Sequence, residues 1–239
     1  MNRIPLDFGS SRYTGNISEL KRAQQLWDGV FDGVTHILDV HSADQPLPGG
    51  LTLDIAGERS VLDTISDALP AAARLAEITP VQKAESKNQP FGCLAGHGAA
   101  VALEVEAGAH EDEPGIRVAV ETAVSFLKAL DCIEGDVEEG SPTAQDVYDV
   151  RGVVRVPDAS YRIASTELLP NFAPIAAGQP IAVSKGKQPV VAPEDGHLIF
   201  GPEGLEISEQ LAKEEVFFRL GPVQRRERTQ QVPTWFTQL

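Results

Sequence analysis

Residues 34–42, Val-Thr-His-Ile-Leu-Asp-Val-His-Ser, decide the fold class. Their first seven positions are rich in β-branched side chains and too short for a helix, so they read as a strand. Upstream, Ile17, Leu20, Ala23, Leu26, Trp27, Val30 and Phe31 recur at helical spacing. Asn16 suits the N-cap of that helix, Glu19 the matching capping-box position, and Gly33 ends it. A helix packed back onto a following strand is half of an α/β unit. Before it, Asn2 to Gly15 reads as loop.

Downstream, Leu51 to Ile55 alternates like a short strand. Ser60 to Glu77 carries apolar residues at helical spacing with a break at Pro70, which predicts two helices or one kinked helix. Ala99 to Val105 is a near-continuous apolar run and reads as a central strand buried on both faces. Pro114 stands at the first position of a further helix, with Ile116, Val120, Ala123, Val124, Leu127 and Leu130 as its expected buried stripe. From Ile133 to Thr143 the chain is acidic and contains Gly and Pro, as a linker would. Short strands then follow at Val153–Val156, Ser160–Ser165, Pro180–Val183, Pro189–Val191 and His197–Phe200, an all-β module. The last stretch, with Arg225, Arg226 and Arg228, is polar and reads as a fraying end. The predicted architecture is α/β over 1–136, followed by a β-rich module over 144–222.

Composition narrows the function. The 239 residues carry 20 basic and 35 acidic side chains, a formal net charge of -15 and a pI near 4.7. Nucleic acid and anionic lipid both need a basic face, so neither is an expected partner. No apolar run approaches the ~20 residues of a membrane span, and residues 1–11 lack the apolar core of a secretory signal. Cys93 and Cys132 are too few for a disulfide framework and read as small buried hydrophobes. A cytoplasmic protein is the expectation, with homo-oligomerisation left open.

Three places could carry chemistry. Asp39 and His41 share one face of their strand, because strand side chains repeat every two residues. A neutral imidazole at a strand end can bind zinc, with Asp39 orienting it; a histidine that only hydrogen-bonds there is the plainer alternative. Glu104 and Glu106 also share a face. Glu106 emerges where an apolar strand ends, so partial desolvation raises its pKa toward a general base's range, against the alternative of two exposed acids. Asn2 and Arg3, with Arg12 in the loop beyond, could grip a substrate carboxylate. His97, in a glycine turn, His110, in an acidic loop, and the Lys185-Gly186-Lys187 hairpin turn read as surface features. The lysine turn also admits a carrier role of the lipoyl or biotinyl kind, without the flanking residues such a role needs.

In this order and spacing, Asn2-Arg3, Glu19-x-x-Arg22-Ala23, Asp39-Val40-His41 and Glu106-Ala107-Gly108 resemble the succinylglutamate desuccinylase/aspartoacylase family. The helix from Pro114 and the tail from Asn171 to Phe200 resemble that family as well. The resemblance covers most of the chain. It implies a zinc-carboxypeptidase-like fold and a zinc-dependent deacylase acting on a small N-acylated, amino-acid-like substrate. It implies His41 as a zinc ligand, Glu106 as the general base, and Asn2 and Arg3 as substrate-binding residues. The family's first two zinc ligands lie in a His-x-x-Glu motif ahead of the Asn-Arg pair, and no histidine here precedes Asn2. His110-x-x-Glu113 has the spacing but falls in the wrong order. The run Gly92 to Ala100 also lacks the arginine of aspartoacylase-like members. The expectation is an N-terminally truncated chain holding one of three zinc ligands, or a non-catalytic binding protein that keeps the fold.

Overall fold

The computed structural model describes residues 3–5, 33–43, 45–77, 88–90, 101–110, 113–135, 144–202, 204–209 and 216–227, and the single positions 25, 29 and 212. In chain order the elements are β1 (Arg3–Pro5), β2 (His36–Ala43), β3 (Leu51–Gly57), α1 (Arg59–Ala68), β4 (Ala73–Glu77), β5 (Asn88–Pro90), β6 (Val101–Ala109) and α2 (Glu113–Ala129). The β-rich part follows as β7 (Ala144–Val154), β8 (Arg162–Ile163), β9 (Ala173–Ile175), β10 (Pro180–Val183), β11 (Val190–Val191), β12 (Gly196–Ile199), β13 (Phe217–Leu220) and β14 (Gln224–Glu227). Most of the predicted first helix and of the loop before it lies outside the described residues; β1 and positions 25, 29 and 33 are the exceptions.

One mixed sheet organises the chain, in the order β2-β6-β3-β4-β7-β13-β12-β9, with β14 also on β7. The pairs β2/β6, β3/β4 and β4/β7 are parallel, and β3/β6 is antiparallel. β7 starts at Ala144, well before the predicted Val153. Its first half pairs with β4 and β14 and its second half with β13, so the sheet continues into the β-rich part. There, β8, β10 and β11 form a smaller sheet over a core that includes Val154, Tyr161, Ile163, Ile181 and Phe217. No helix among the described residues is long and apolar enough to cross a membrane.

The two helices lie on one face of the sheet. Leu103 and Val105 of β6 pack there with Leu62 and Ile65 of α1 and Phe126 of α2. Two sequence readings are corrected here. Ala73 to Glu77 is a strand and not a second helical turn: Pro70 stops α1, and parallel pairing on both sides then holds the segment extended. The buried face of α2 is Gly115, Thr122, Ser125, Phe126 and Ala129, while Ile116 and Val120 are 55% and 59% exposed. Close approach explains the inversion. A Cβ on Gly115 would stand 3.4 Å from the Gly108 Cα, so the start of α2 approaches β6 closely, Phe126 packs on it further along, and Ile116, Val120, Val124 and Leu127 turn outward.

Between sheet and α1 lies a charged core. Arg74, fully buried, donates from Nε and Nη2 to the Asp54 carboxylate, at 2.9 and 2.6 Å, and from Nη1 to Asp63, at 2.8 Å. Arg226 of β14 reaches Asp63 at 2.7 Å and Asp67 at 3.1 Å, so Gln224–Glu227, the described part of the stretch read as a fraying end, is a paired strand clasped to α1. Burial lowers the Arg74 pKa, but Asp54 and Asp63 more than reverse this and hold it above its usual value. Burial likewise pushes the Asp63 carboxyl up, and Arg74, Arg226 and Arg59 more than reverse it, leaving it below the usual range. Asp54, more deeply buried, stays raised despite Arg74, so its linkage to pH has the opposite sign. The Asp63 contribution is complete above the unfolded value, about 4, and is lost as pH falls through the lower folded value. Asp63→Asn is therefore expected to reduce stability at pH 7 and to flatten the loss of stability below about pH 4. Urea unfolding of both proteins between pH 3 and 7 measures this, and parallel curves would contradict it.

Candidate metal and catalytic centre

The site is built by the parallel pairing of β2 with β6. Its register sets Asp39 opposite Glu104 and His41 opposite Glu106. Leu103 and Val105 face the helices, so alternation turns Glu104 and Glu106 to the other side of the sheet, with Asp39 and His41 beside them. Leu51 and Leu53, register partners of Glu106 and Glu104 on β3, share that side. They pack with Tyr148, Ile199 and Leu220, so the β-rich part forms the wall next to the site.

Polar ties hold the same end of the sheet. Beyond β2, Gln45 Nε2 donates to the Gly201 and Pro202 carbonyls at 2.9 and 3.0 Å. Asn171 Nδ2 donates to the Pro46 carbonyl, and its Oδ1 accepts from the Phe200 amide. The His110 amide donates to the Ala43 carbonyl at 3.1 Å, and its Nδ1 lies 2.7 Å from Ser42 Oγ. The exits of β2 and β6 are thereby fastened together.

Within the cluster, His41 Nε2 lies 3.0 Å from Asp39 Oδ1. This contact raises the imidazole pKa to about 9, against an opposing effect of burial and with further support from Glu104 and Glu106. Glu104 is 5% exposed, and its Oε2 accepts no hydrogen bond among the described residues. Burial pushes its carboxyl up to about 7; His41 opposes this, and Glu106 and Asp39 add to it. Asp39, His41 and Glu104 each offer one ligand atom, all within 4.8 Å of one another. A half-buried imidazole and two carboxylates on one sheet face fit a divalent cation by donor type and by spacing.

Of the residues singled out by sequence, Asp39, His41, Glu104 and Glu106 are brought together. Asn2, Cys93 and His97 lie outside the described residues. Arg3 is described only through its backbone, in β1 opposite Pro90 of β5. Cys132 is exposed and not buried as expected, because α2 ends at Ala129 and the chain turns outward. Lys187 sits in the expected hairpin turn, where its ammonium reaches Asp158 at 2.6 Å and lies over the Tyr161 ring. Glu104 is the residue that sequence reasoning placed but undervalued. A single acid inside the apolar run from Val101 to Val105 was the available signal.

No family model and no curated protein matches this chain. Solved structures do match it in fold. A succinylglutamate desuccinylase/aspartoacylase from Rhodobacter sphaeroides aligns with a TM-score of 0.59 at 15% identity, covering 85% of this chain and 63% of that one. Succinylglutamate desuccinylase from Vibrio cholerae aligns with a TM-score of 0.62 at 18% identity, covering 93% and 65%. Murine aminoacylase 3 aligns with a TM-score of 0.59 at 15% identity, covering 95% and 76%. The chain thus has the α/β fold of these structures, and it spans less than two thirds of the first and second.

Proposed function

We propose that this chain is a zinc-dependent deacylase that hydrolyses an N-acyl amide on a small, amino-acid-like molecule. The observation that carries the reading is the in-register pairing of Asp39 and His41 with Glu104 and Glu106 on one face of the sheet. The fold is that of proteins named for desuccinylase, aspartoacylase and aminoacylase activity, which supports amide hydrolysis as the reaction class.

His41 would hold the metal, which when bound supplies Lewis-acid polarisation of a water and of the scissile carbonyl. Asp39, in contact with the ring, fixes the orientation of the imidazole. Glu106, opposite His41 and only partly buried, takes a proton from the attacking water and returns it to the departing nitrogen. Asn2 and Arg3 are proposed to bind the substrate carboxylate, where a guanidinium supplies a planar two-point contact. Local cationic groups are needed for that task, because a net charge of -15 repels an anionic substrate at long range. The same reading places the protein in the cytoplasm.

His41→Ala tests the assignment. The variant is expected to lose zinc and amide hydrolysis together, read as metal content and as amine release from N-acylated amino acids. Retention of stoichiometric zinc by the variant would remove His41 from the metal site.

A further inference from the structure

Helix α2 carries an apolar stripe that nothing among the described residues covers. Ile116 and Val120 are 55% and 59% exposed, and Val124 and Leu127 are 37% and 40% exposed. Successive helical residues turn by about 100°, so positions 116, 120, 124 and 127 fall within an arc of about 80°. Apolar residues scattered singly over a surface are ordinary, but a line of them along about three turns of helix marks an interaction face. The sheet takes the opposite side of α2, through Gly115, Thr122, Ser125, Phe126 and Ala129.

We infer that this stripe is a dimer interface whose partner is α2 of a second copy of this chain, packed antiparallel about a two-fold axis at Val120. The cluster of His41 and Glu104 lies on the other side of the sheet, so such a contact leaves it open.

Symmetry is the first support. Across a two-fold axis, residue i of one copy meets residue j of the other and j meets i, so the surface must match itself. The stripe does so. With the axis at Val120, Ile116 meets Val124 of the second copy, Val124 meets its Ile116, and Val120 meets its own counterpart. Apolar side chains therefore face each other through the centre of the contact. Leu127 continues the stripe beyond that centre and stands opposite Glu113 in the exposed first turn of α2.

Charge is the second support, and it favours a second copy over an apolar segment of other sequence. Arg117 and Glu121 flank the stripe on one side, about 60° and 100° from the line through Val120. Neither forms an ion pair among the described residues, not even with the other. The two-fold rotation keeps this flank on the same side of the pair while reversing the helix direction. Arg117 of each copy then comes beside Glu121 of the other, offset by about 3 Å along the helices. Two reciprocal ion pairs result at the rim of the contact. One helix from each copy makes a contact smaller than the about 1,200–2,000 Å² of standard complexes, so dissociation in the micromolar range is expected.

Sedimentation velocity of the full chain, over dilution from about 500 µM to about 1 µM, tests the inference. Wild type is expected to show a monomer–dimer equilibrium. Val120→Glu sets two carboxylates against each other at the axis and is expected to weaken the dimer about 100-fold or more. The position is solvent-exposed, so the fold is expected to persist, which circular dichroism checks. Arg117→Glu and Glu121→Arg are each expected to weaken the dimer about tenfold. The double variant Arg117→Glu/Glu121→Arg exchanges the charges and is expected to return to within a few-fold of wild type. Wild type that stays monomeric at the highest concentration would overturn the inference, as would a dimer that Val120→Glu leaves intact. A double charge variant as weak as the single ones would overturn the antiparallel pairing of second copies.

Discussion

Glu106→Gln is expected to lower kcat for amide hydrolysis by about 10²–10⁴-fold while leaving zinc binding in place. The glutamine keeps the shape of the side chain and its place on β6 opposite His41, but it cannot accept the water's proton. If the loss falls in kcat with KM little changed, Glu106 acts in the transition state and not in substrate binding. Metal content should match wild type, because Glu106 is proposed as the base and His41 as the metal ligand. Turnover within a few-fold of wild type would exclude it as the base. A parallel loss of zinc would show instead that Glu106 is a ligand.

Arg74→Met is expected to destabilise the chain by about 3–5 kcal/mol, the cost of leaving a buried charge uncompensated. Arg74 is the largest fully buried side chain among the described residues, and it is the bidentate partner of Asp54 and the link to Asp63. Its removal strands the Asp54 carboxylate beneath α1 and weakens the contacts that carry β14 to the same helix through Arg226. Guanidinium unfolding measures the effect. The double variant Arg74→Met/Asp54→Leu is expected to recover much of the loss, because paired apolar replacement of a buried ion pair is often neutral. A single variant within about 1 kcal/mol of wild type would show that the pair contributes little.

The α/β class and the site's position were legible because both depend on strand patterning. The run Val34 to Val40 alternates into Asp39 and His41, and the apolar run ending at Val105 marks the central strand beside it. Sequence could not show that these two strands pair in parallel, since register depends on contacts 65 residues apart, as between Asp39 and Glu104. Glu104 was undervalued for that reason: on its own strand it is an acid beside Glu106, and only the partner strand supplies the imidazole. The reading of 73–77 as helix failed because Ala73 to Ala76, the arginine included, is buried on both faces between parallel strands and so carries no period-2 signal. For α2, hydrophobicity pointed to the wrong face. The close approach at Gly115 and Gly108 selects small residues for contact, which a search for large apolar side chains passes over. The Arg74 network was equally hidden, because its acids come from β3 and α1 and its second arginine from β14.

The paired ends of β2 and β6 are proposed to form a metal-dependent hydrolytic site. Its most direct test is a chelation cycle on the wild-type chain with N-acylated amino acids as substrates, read as amine release. Amine release should stop when zinc is removed and return on adding one equivalent, with secondary structure unchanged by circular dichroism. Hydrolysis that persists in the fully chelated protein, or zinc-loaded protein that releases no amine from any N-acylated amino acid, would contradict it.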